Sequence, residues 1–310
     1  MKAFILTESS SSLGLGHLVR CTALAYAFNK MGISTKIIVK GGLKPPSGIR
    51  ANNLFTFDWI NSLDNIIKRG NKPDIIVVDS YLASQNVYQK IASIPRLTVY
   101  IDDYNRLNYP DGIVINGTVD AEKIRYPKST SKKYLLGEKY IIIRDEFQKQ
   151  KAKKNPDEID SILLLSGGTN QKEIAPKMLK YIENYFPYAK KEVVINKFIK
   201  ASQLRDMMYH SDFAVSTAGQ TLNELAATGT PTIAIGVADN QAFNLKGYHQ
   251  AKFIKNIIWW NDNNFKKKFI DSLHDIKDKE SRKRKSVIGK KLVDSQGASR
   301  IVKYILSRIT

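Results

Sequence analysis

The chain has 310 residues, 43% of them hydrophobic, which is enough for two domains with full cores and excludes a disordered chain. Its formal net charge of +20 at pH 7 attracts phosphates of any kind, but no helix-turn-helix, zinc-finger or RNA-recognition pattern accompanies the charge, so a nucleic-acid partner is not expected. The single cysteine, Cys21, excludes an internal disulfide framework and suits a reducing cytoplasm, and the scattered His17, His210, His249 and His274 give no zinc-type spacing, so no metal is expected.

The chain begins with a short apolar strand, Lys2–Leu6, whose apolar run is too brief for a signal-peptide core. The small polar loop Thr7-Glu8-Ser9-Ser10-Ser11-Ser12 follows, and then Gly14-Leu15-Gly16-His17-Leu18-Val19-Arg20-Cys21. From there Leu18, Cys21, Leu24, Ala25 and Phe28 recur at helical spacing. A histidine therefore stands where a first strand gives way to a helix. The dipole at a helix N-terminus disfavours imidazolium, so the ring there tends to stay neutral and able to accept a proton. The loop is no dinucleotide grip, because Val19 occupies the third glycine place of G-x-G-x-x-G. Its glycines, Gly14 and Gly16, allow a tight turn and close approach to a ligand.

Strands are predicted at Thr35–Val39, Asp74–Val78, Leu97–Ile101 and Gly112–Ile115. Ile60, Leu63, Ile66 and Ile67 mark one amphipathic helix between them, and Val87–Ala92 another. Strand–helix alternation argues for a parallel sheet. Asp79 follows one of these strands and Asp102-Asp103 another, at the same predicted sheet edge as His17. Such acids can orient His17, bind sugar hydroxyls or simply begin turns. At Gln148–Asp160 apolar residues give way to charge, which marks a linker.

The pattern then restarts. Ser161–Leu165 is a strand, Ser166-Gly167-Gly168-Thr169 a small-residue turn that exposes N–H groups to a phosphate, and Lys172–Tyr185 a helix. Strands follow at Val193–Ile195, Phe213–Val215 and Thr232–Ile235, and helices at Gln203–His210, Leu222–Ala227 and Gln241–Gly247. After the strand at 213–215, Ala218-Gly219-Gln220-Thr221 can cradle a diphosphate. Glu224 can accept hydrogen bonds from ribose hydroxyls, and Asn240-Gln241 close the same region. The C-terminal segment is helical and basic, ending in an amphipathic helix with Ile301, Val302, Ile305 and Leu306. These patterns give an α/β fold of two Rossmann-like domains facing a cleft. The first, 1–150, carries His17; the second, 158–310, binds the nucleotide. No run approaches the roughly 20 apolar residues of a membrane helix. The lysine and arginine clusters at 266–268 and 282–285 could still support weak peripheral association with an anionic membrane.

Together the motifs resemble the hydrolases that release uridine diphosphate from an activated trideoxy-diacetamido sugar in pseudaminic acid biosynthesis, and the related spore-coat polysaccharide proteins. The resemblance spans nearly the whole chain. It rests on Ser9-Ser10-Ser11, Gly14-x-Gly16-His17-x-x-Arg20-Cys21, Val78-Asp79-Ser80-Tyr81, Asp102-Asp103, Leu136-Gly137, Arg144-x-Glu146-Phe147, Ser166-Gly167-Gly168-Thr169 and Gly219-x-Thr221-x-x-Glu224. The C-terminal half also looks like the nucleotide-binding half of the glycosyltransferase that makes lipid II.

The resemblance implies a glycosyltransferase-B fold and metal-independent, inverting hydrolysis of a UDP-sugar without cofactor. His17 would be the general base. Gly14, Gly16, Arg20, Asp79, Asp103, Ser166, Gly167, Gly168, Thr169, Ala218, Gly219, Gln220, Thr221, Glu224, Asn240 and Gln241 would bind substrate. Apart from the resemblance, a cytoplasmic location is expected from the lone cysteine, and a monomer is expected. A glycosyltransferase of the same fold, with an acceptor hydroxyl in place of water, is the alternative. Two departures from the family lie at the expected sugar end: Thr7-Glu8 stands where an arginine and an aspartate are usual, and Ser80 where histidine is usual.

Overall fold

A computed structural model describes residues 1–10, 14–41, 53–63, 72–148, 153–167, 171–195 and 199–309. The chain divides into two compact units, Met1–Asp145 with Gln296–Thr310, and Glu146–Ser295.

Unit 1 is built on a seven-stranded parallel sheet in the order β3-β2-β1-β4-β5-β6-β7. The strands are β1 (Lys2–Glu8), β2 (Ser34–Lys40), β3 (Leu54–Thr56), β4 (Ile75–Asp79), β5 (Leu97–Ile101), β6 (Gly112–Asn116) and β7 (Lys132–Leu136). Side chains alternate across a strand, and a parallel sheet is buried on both faces, so β1 supplies both of the unit's cores. Ala3 and Ile5 join one core with Leu18, Leu24 and Phe28 of α1 (Gly16–Lys30). Phe4 and Leu6 join the other with Trp59 and with Tyr88 and Ile91 of α2 (Gln85–Ala92).

Strand order reverses between β1 and β4. In open α/β sheets such a switch point opens a crevice at the carboxyl ends of the strands. The residues around it are Glu8, which ends β1, Asp79, which ends β4 in register with Thr7, and the first turn of α1.

Unit 2 has a five-stranded sheet, β12-β11-β10-β8-β9, also parallel throughout. Its strands are β8 (Ser161–Ser166), β9 (Lys190–Ile195), β10 (Phe213–Thr217), β11 (Thr232–Gly236) and β12 (Ile258–Trp259). Helices α3 (Gln171–Tyr185), α4 (Ala201–His210), α5 (Gln220–Thr228), α6 (Ala242–Gln250), α7 (Phe265–Lys277) and α8 (Lys279–Leu292) surround it. Its core joins Ile162, Leu164, Phe213 and Val215 of the sheet to Met178 and Ile182 of α3 and Phe269 and Leu273 of α7. The switch point of this sheet lies between β8 and β10.

The observed division differs from the sequence expectation of 158–310 as one domain. The last helix, α9 (Gly297–Leu306), returns to unit 1, where Ala298, Ile301, Val302 and Ile305 pack into the same core as α1. Its apolar stripe was legible in the sequence; the partner for that stripe was not. Strands β3, β7 and β12 were also missed, because β3 and β12 are three and two residues long and Lys132-Lys133-Tyr134 opens β7 without an apolar run. Near residue 241 the chain makes a 3-10 turn, Asp239–Gln241, before α6 begins. Ile66 and Ile67 lie outside the described residues.

The basic run at 282–285 is not a continuous surface patch. Arg282 and Lys285 are buried at 0% and 4% exposure. Arg282 donates to Ile276 O and Lys277 O at the end of α7, each at 2.9 Å, and also to Pro156 O. Lys285 pairs with Asp275 at 2.9 Å. Among the described residues no helix is long and apolar enough to cross a membrane.

Candidate active site

The crevice of unit 1 gathers His17, Arg20, Asp79, Tyr81 and Asp103, which come from three separate stretches of sequence. Gly14 makes the turn into α1 at a φ of 73°, with its N–H on Ser10 O at 2.8 Å. A methyl group there would meet open space, so the requirement is conformational rather than steric. Gly16 is the first residue of α1, whose N-terminus carries no side-chain cap and no acid in its first turn. His17 and Arg20 are one turn apart on that helix and therefore share a face.

His17 Nδ1 lies 2.6 Å from Asp79 Oδ1. A carboxylate only accepts, so Nδ1 carries the proton, and in the neutral ring Nε2 is the free acceptor. The 3.3 Å approach of Arg20 Nη2 to the same nitrogen is then a packing contact between two donors, since the shorter carboxylate contact decides the tautomer. Arg20 reaches both acids in bidentate fashion. It donates to Asp79 through Nε at 2.6 Å and Nη2 at 2.7 Å, and to Asp103 through Nη1 at 2.7 Å and Nη2 at 3.0 Å. Four of the five guanidinium hydrogens are thus committed within the protein, which makes Arg20 chiefly an organiser of the two carboxylates. Tyr81 completes the cluster: its hydroxyl donates to Asp103, and its ring meets the His17 ring edge-on with centroids 4.4 Å apart.

The electrostatics follow from this packing. Burial alone would raise the Asp79 carboxyl, but the Arg20 guanidinium and then His17 override it and hold it well below the usual carboxylate range. Asp103 is likewise lowered: burial opposes ionisation, and the charge and hydrogen bonds of Arg20 prevail. Burial, reinforced by Asp79, pushes the Cys21 thiol well up; it donates to Asp79 Oδ2 at 3.4 Å, so it is a neutral core group rather than a nucleophile. With both acids ionised and Arg20 charged, a proton gained by His17 brings this set of four to neutrality.

The neighbouring acids divide sharply. Asp102 takes hydrogen bonds from Asn105 N at 2.7 Å, Arg106 N at 3.1 Å and the hydroxyls of Tyr109 and Tyr126, so it begins a turn while Asp103 faces the cluster. Thr7 and Glu8, at 0% exposure, and Ser80, at 2%, are buried at the carboxyl ends of β1 and β4 and present no open surface. The Glu8 carboxylate instead holds the turn at 80–82. Sequence reasoning did not assign Tyr81 to the site, although it stood inside the Val78-Asp79-Ser80-Tyr81 motif, and it placed Glu8 at the sugar end without its role under the turn at 80–82.

In unit 2 the three expected loops meet at the carboxyl edge of the sheet. Thr217 Oγ1, ending β10, donates to Gly167 O at 3.2 Å, and Gly167 N approaches that hydroxyl at 3.4 Å, joining the loops after β8 and β10 across the switch point. Gln241 Oε1 accepts from Val237 N at 2.9 Å, while its Nε2 lies 3.9 Å from the position a Cβ on Gly219 would take. Gly219 is the N-cap of α5, without a side-chain cap. Ser166 Oγ is buried and has no hydrogen-bond partner among the described residues. Ala218 is buried and contributes backbone, its N–H already on Ile235 O at 2.9 Å. Gln220, Thr221 and Asn240 are half-buried at the same edge. Glu224 is 1% exposed and stands in the second turn of α5, so it is not an acid drawn to the first turn by the helix dipole. Gly168 and Thr169 lie outside the described residues. Among the described residues no group of three or more His, Cys, Asp or Glu is placed to hold a metal ion.

No protein-family model matches the chain. It is 24% identical over 269 residues to the pseudaminic acid cytidylyltransferase and UDP-2,4-diacetamido-2,4,6-trideoxy-beta-L-altropyranose hydrolase of Helicobacter pylori, a match covering 82% of this chain and 48% of the relative. It is 23% identical over 272 residues to the uncharacterized protein MJ1062 of Methanocaldococcus jannaschii, covering 76% of this chain and 55% of the relative. The chain thus spans about half the length of the curated relatives it matches. Among solved structures it resembles MurG of Acinetobacter baumannii, with a TM-score of 0.65 and 13% identity over 99% of this chain and 100% of that one. It also resembles a putative UDP-N-acetylglucosamine 2-epimerase of Listeria monocytogenes, with a TM-score of 0.67 and 13% identity over 99% and 96%. The fold is α/β, of the glycosyltransferase-B type.

Proposed function

We propose that the chain is a nucleotide-sugar hydrolase that releases UDP from a 2,4-diacetamido-2,4,6-trideoxy sugar. The observation that carries the reading is the His17–Asp79 pair at the switch point of unit 1, with Nδ1 on the carboxylate and Nε2 available as an acceptor. The name of the H. pylori relative, which includes a UDP-sugar hydrolase, and the glycosyltransferase-B fold support it. A neighbour of the same fold, S. aureus MnaA, was solved with UDP; it has a TM-score of 0.68 at 11% identity.

In this reading His17 Nε2 takes a proton from water as the oxygen attacks the anomeric carbon. The carbon–oxygen bond to the diphosphate breaks with its electron pair leaving on the phosphate, and the configuration inverts. Asp79 fixes the tautomer and stabilises the imidazolium that forms, as the acid of a catalytic triad does. Arg20 keeps Asp79 ionised, and Asp103 holds the Arg20 guanidinium in place. The loops after β8, β10 and β11 would take the nucleotide. Backbone N–H groups at the start of α5 suit a developing diphosphate charge, so no general acid is required.

The test is turnover of UDP-2,4-diacetamido-2,4,6-trideoxy-β-L-altropyranose without an acceptor, with and without a chelator. UDP and free sugar are expected in equal amounts in both conditions. Release that appears only when a hydroxyl acceptor is added would replace hydrolysis by glycosyl transfer. His17→Asn is expected to lower kcat by about a hundredfold or more with UDP affinity within about twofold, because a base acts on the transition state. Turnover within about tenfold of wild type would remove His17 from the role of base.

A further inference from the structure

We propose that Glu8 is a positioning residue for this site, acting through Tyr81 on the His17 imidazole. The inference rests on reading His17 as the base. Glu8 is fully buried at the last position of β1. Its carboxylate crosses the switch point to the turn that follows β4. There it accepts from Ser80 Oγ, from Tyr81 N at 2.6 Å and from Leu82 N at 3.3 Å on each oxygen. Ser80 Oγ in turn accepts from Leu82 N at 3.1 Å and Ala83 N at 3.0 Å. The turn at 80–83 is therefore wrapped around one carboxylate and one hydroxyl.

Tyr81 leaves this turn toward the cluster and is fixed at both ends: its N–H is on Glu8 and its hydroxyl is on Asp103. Its ring stands at 88° to the imidazole of His17. A histidine held by a single hydrogen bond at Nδ1 can still tilt about that bond, and the Tyr81 ring, perpendicular to the imidazole at 4.4 Å, limits the tilt. Nε2 is the atom whose position matters, and errors of about 1 Å in such an atom cost about a hundredfold in rate. A carboxylate suits the task because its two oxygens accept several donors at once; an amide presents one acceptor and brings its own hydrogens toward Ser80 and Leu82.

A double-mutant cycle separates this role from simple support of the fold. Glu8→Gln is expected to lower kcat about 30-fold with KM within about twofold, and Tyr81→Ala about 100-fold. If Glu8 works through Tyr81, the double variant matches Tyr81→Ala alone. Losses that multiply, to about 3,000-fold, or a folded Glu8→Gln enzyme with kcat within about twofold of wild type, would overturn the proposal. The second readout needs no substrate. In protein labelled with nitrogen-15 histidine, the His17 Nδ1–H resonance is expected to shift in Glu8→Gln and to shift no further when that change is added to Tyr81→Ala. An unchanged His17 resonance in folded Glu8→Gln sinks the proposal. If Glu8→Gln fails to fold, Ser80→Ala, which removes one of the donors to Glu8, is expected to move the resonance in the same sense by less, and no movement overturns it. If wild-type protein hydrolyses no UDP-sugar, the hydrolase reading fails on its own, and the resonance still decides the role of Glu8.

Discussion

Asp79 meets His17, Arg20 and Cys21 on two oxygens, and this crowding makes it the residue on which the stability of the cluster turns. Its folded-state pKa lies below the unfolded value, so its contribution to stability is complete above about pH 4 and is lost as pH falls through the lower, folded value. Asp79→Asn removes that contribution and leaves Arg20 with Asp103 alone. We expect a loss of about 3 kcal/mol near neutral pH, and a flatter fall in stability below about pH 4 than in wild type. Urea unfolding at several pH values reads both, and parallel acid limbs would refute the assignment. His17, Arg20, Asp79 and Asp103 were each legible as polar residues at the ends of apolar strands or in the first helix. Their mutual bonding was not. His17 and Asp79 are 62 residues apart, and only the reversal of strand order between β1 and β4 closes that distance. Glu8 was misplaced for a related reason. Whether the last acid of a strand points to solvent or under the next turn depends on that turn, which no local spacing encodes.

Among elements, long apolar strands such as Ile75–Asp79 and Phe213–Thr217 announce themselves because a parallel sheet buries both faces. Helix α8 shows the opposite case. Its composition reads as a solvated basic helix, yet Ser281, Arg282, Lys285, Ser286 and Gly289 form a buried stripe. Arg282 serves there as a cap for α7, satisfying two terminal carbonyls that α7 cannot pair internally, and as a tether for the Pro156–Asp157 segment. Arg282→Met keeps most of the side-chain volume but leaves those carbonyls unpaired. An expected loss of about 3 kcal/mol follows from the desolvated acceptors. Lys283→Met on the exposed face, where the lysine pairs with Glu280, should cost less than about 0.5 kcal/mol. Equal losses from the two substitutions in a denaturant titration would show that the run acts as surface charge after all.

At the scale of the whole molecule, the chain leaves unit 1 after Asp145 and comes back at Gln296, so the unit that bears His17 is completed only by the last fifteen residues. Helix α9 fills the core beside α1: Ile301, Val302 and Ile305 are fully buried there, and Arg96 Nη2 donates to Ile309 O at 3.0 Å. The sequence pattern could not reveal this, since an amphipathic stripe states that a helix must be covered but not by what. The consequence is that a defect at the C-terminus should appear at the N-terminal site. Ile305→Ala opens a cavity against α1 and is expected to cost about 3 kcal/mol. Hydrogen-exchange mass spectrometry locates the loss: faster exchange in α1 and β1, with β8, β10 and β11 unchanged, is the expected pattern, because the two units have separate cores. Under the hydrolase reading kcat falls with it, since α1 carries both His17 and Arg20, while UDP affinity holds. Faster exchange confined to the strands of unit 2 would instead return the C-terminal helix to the domain that its position in the sequence first suggested.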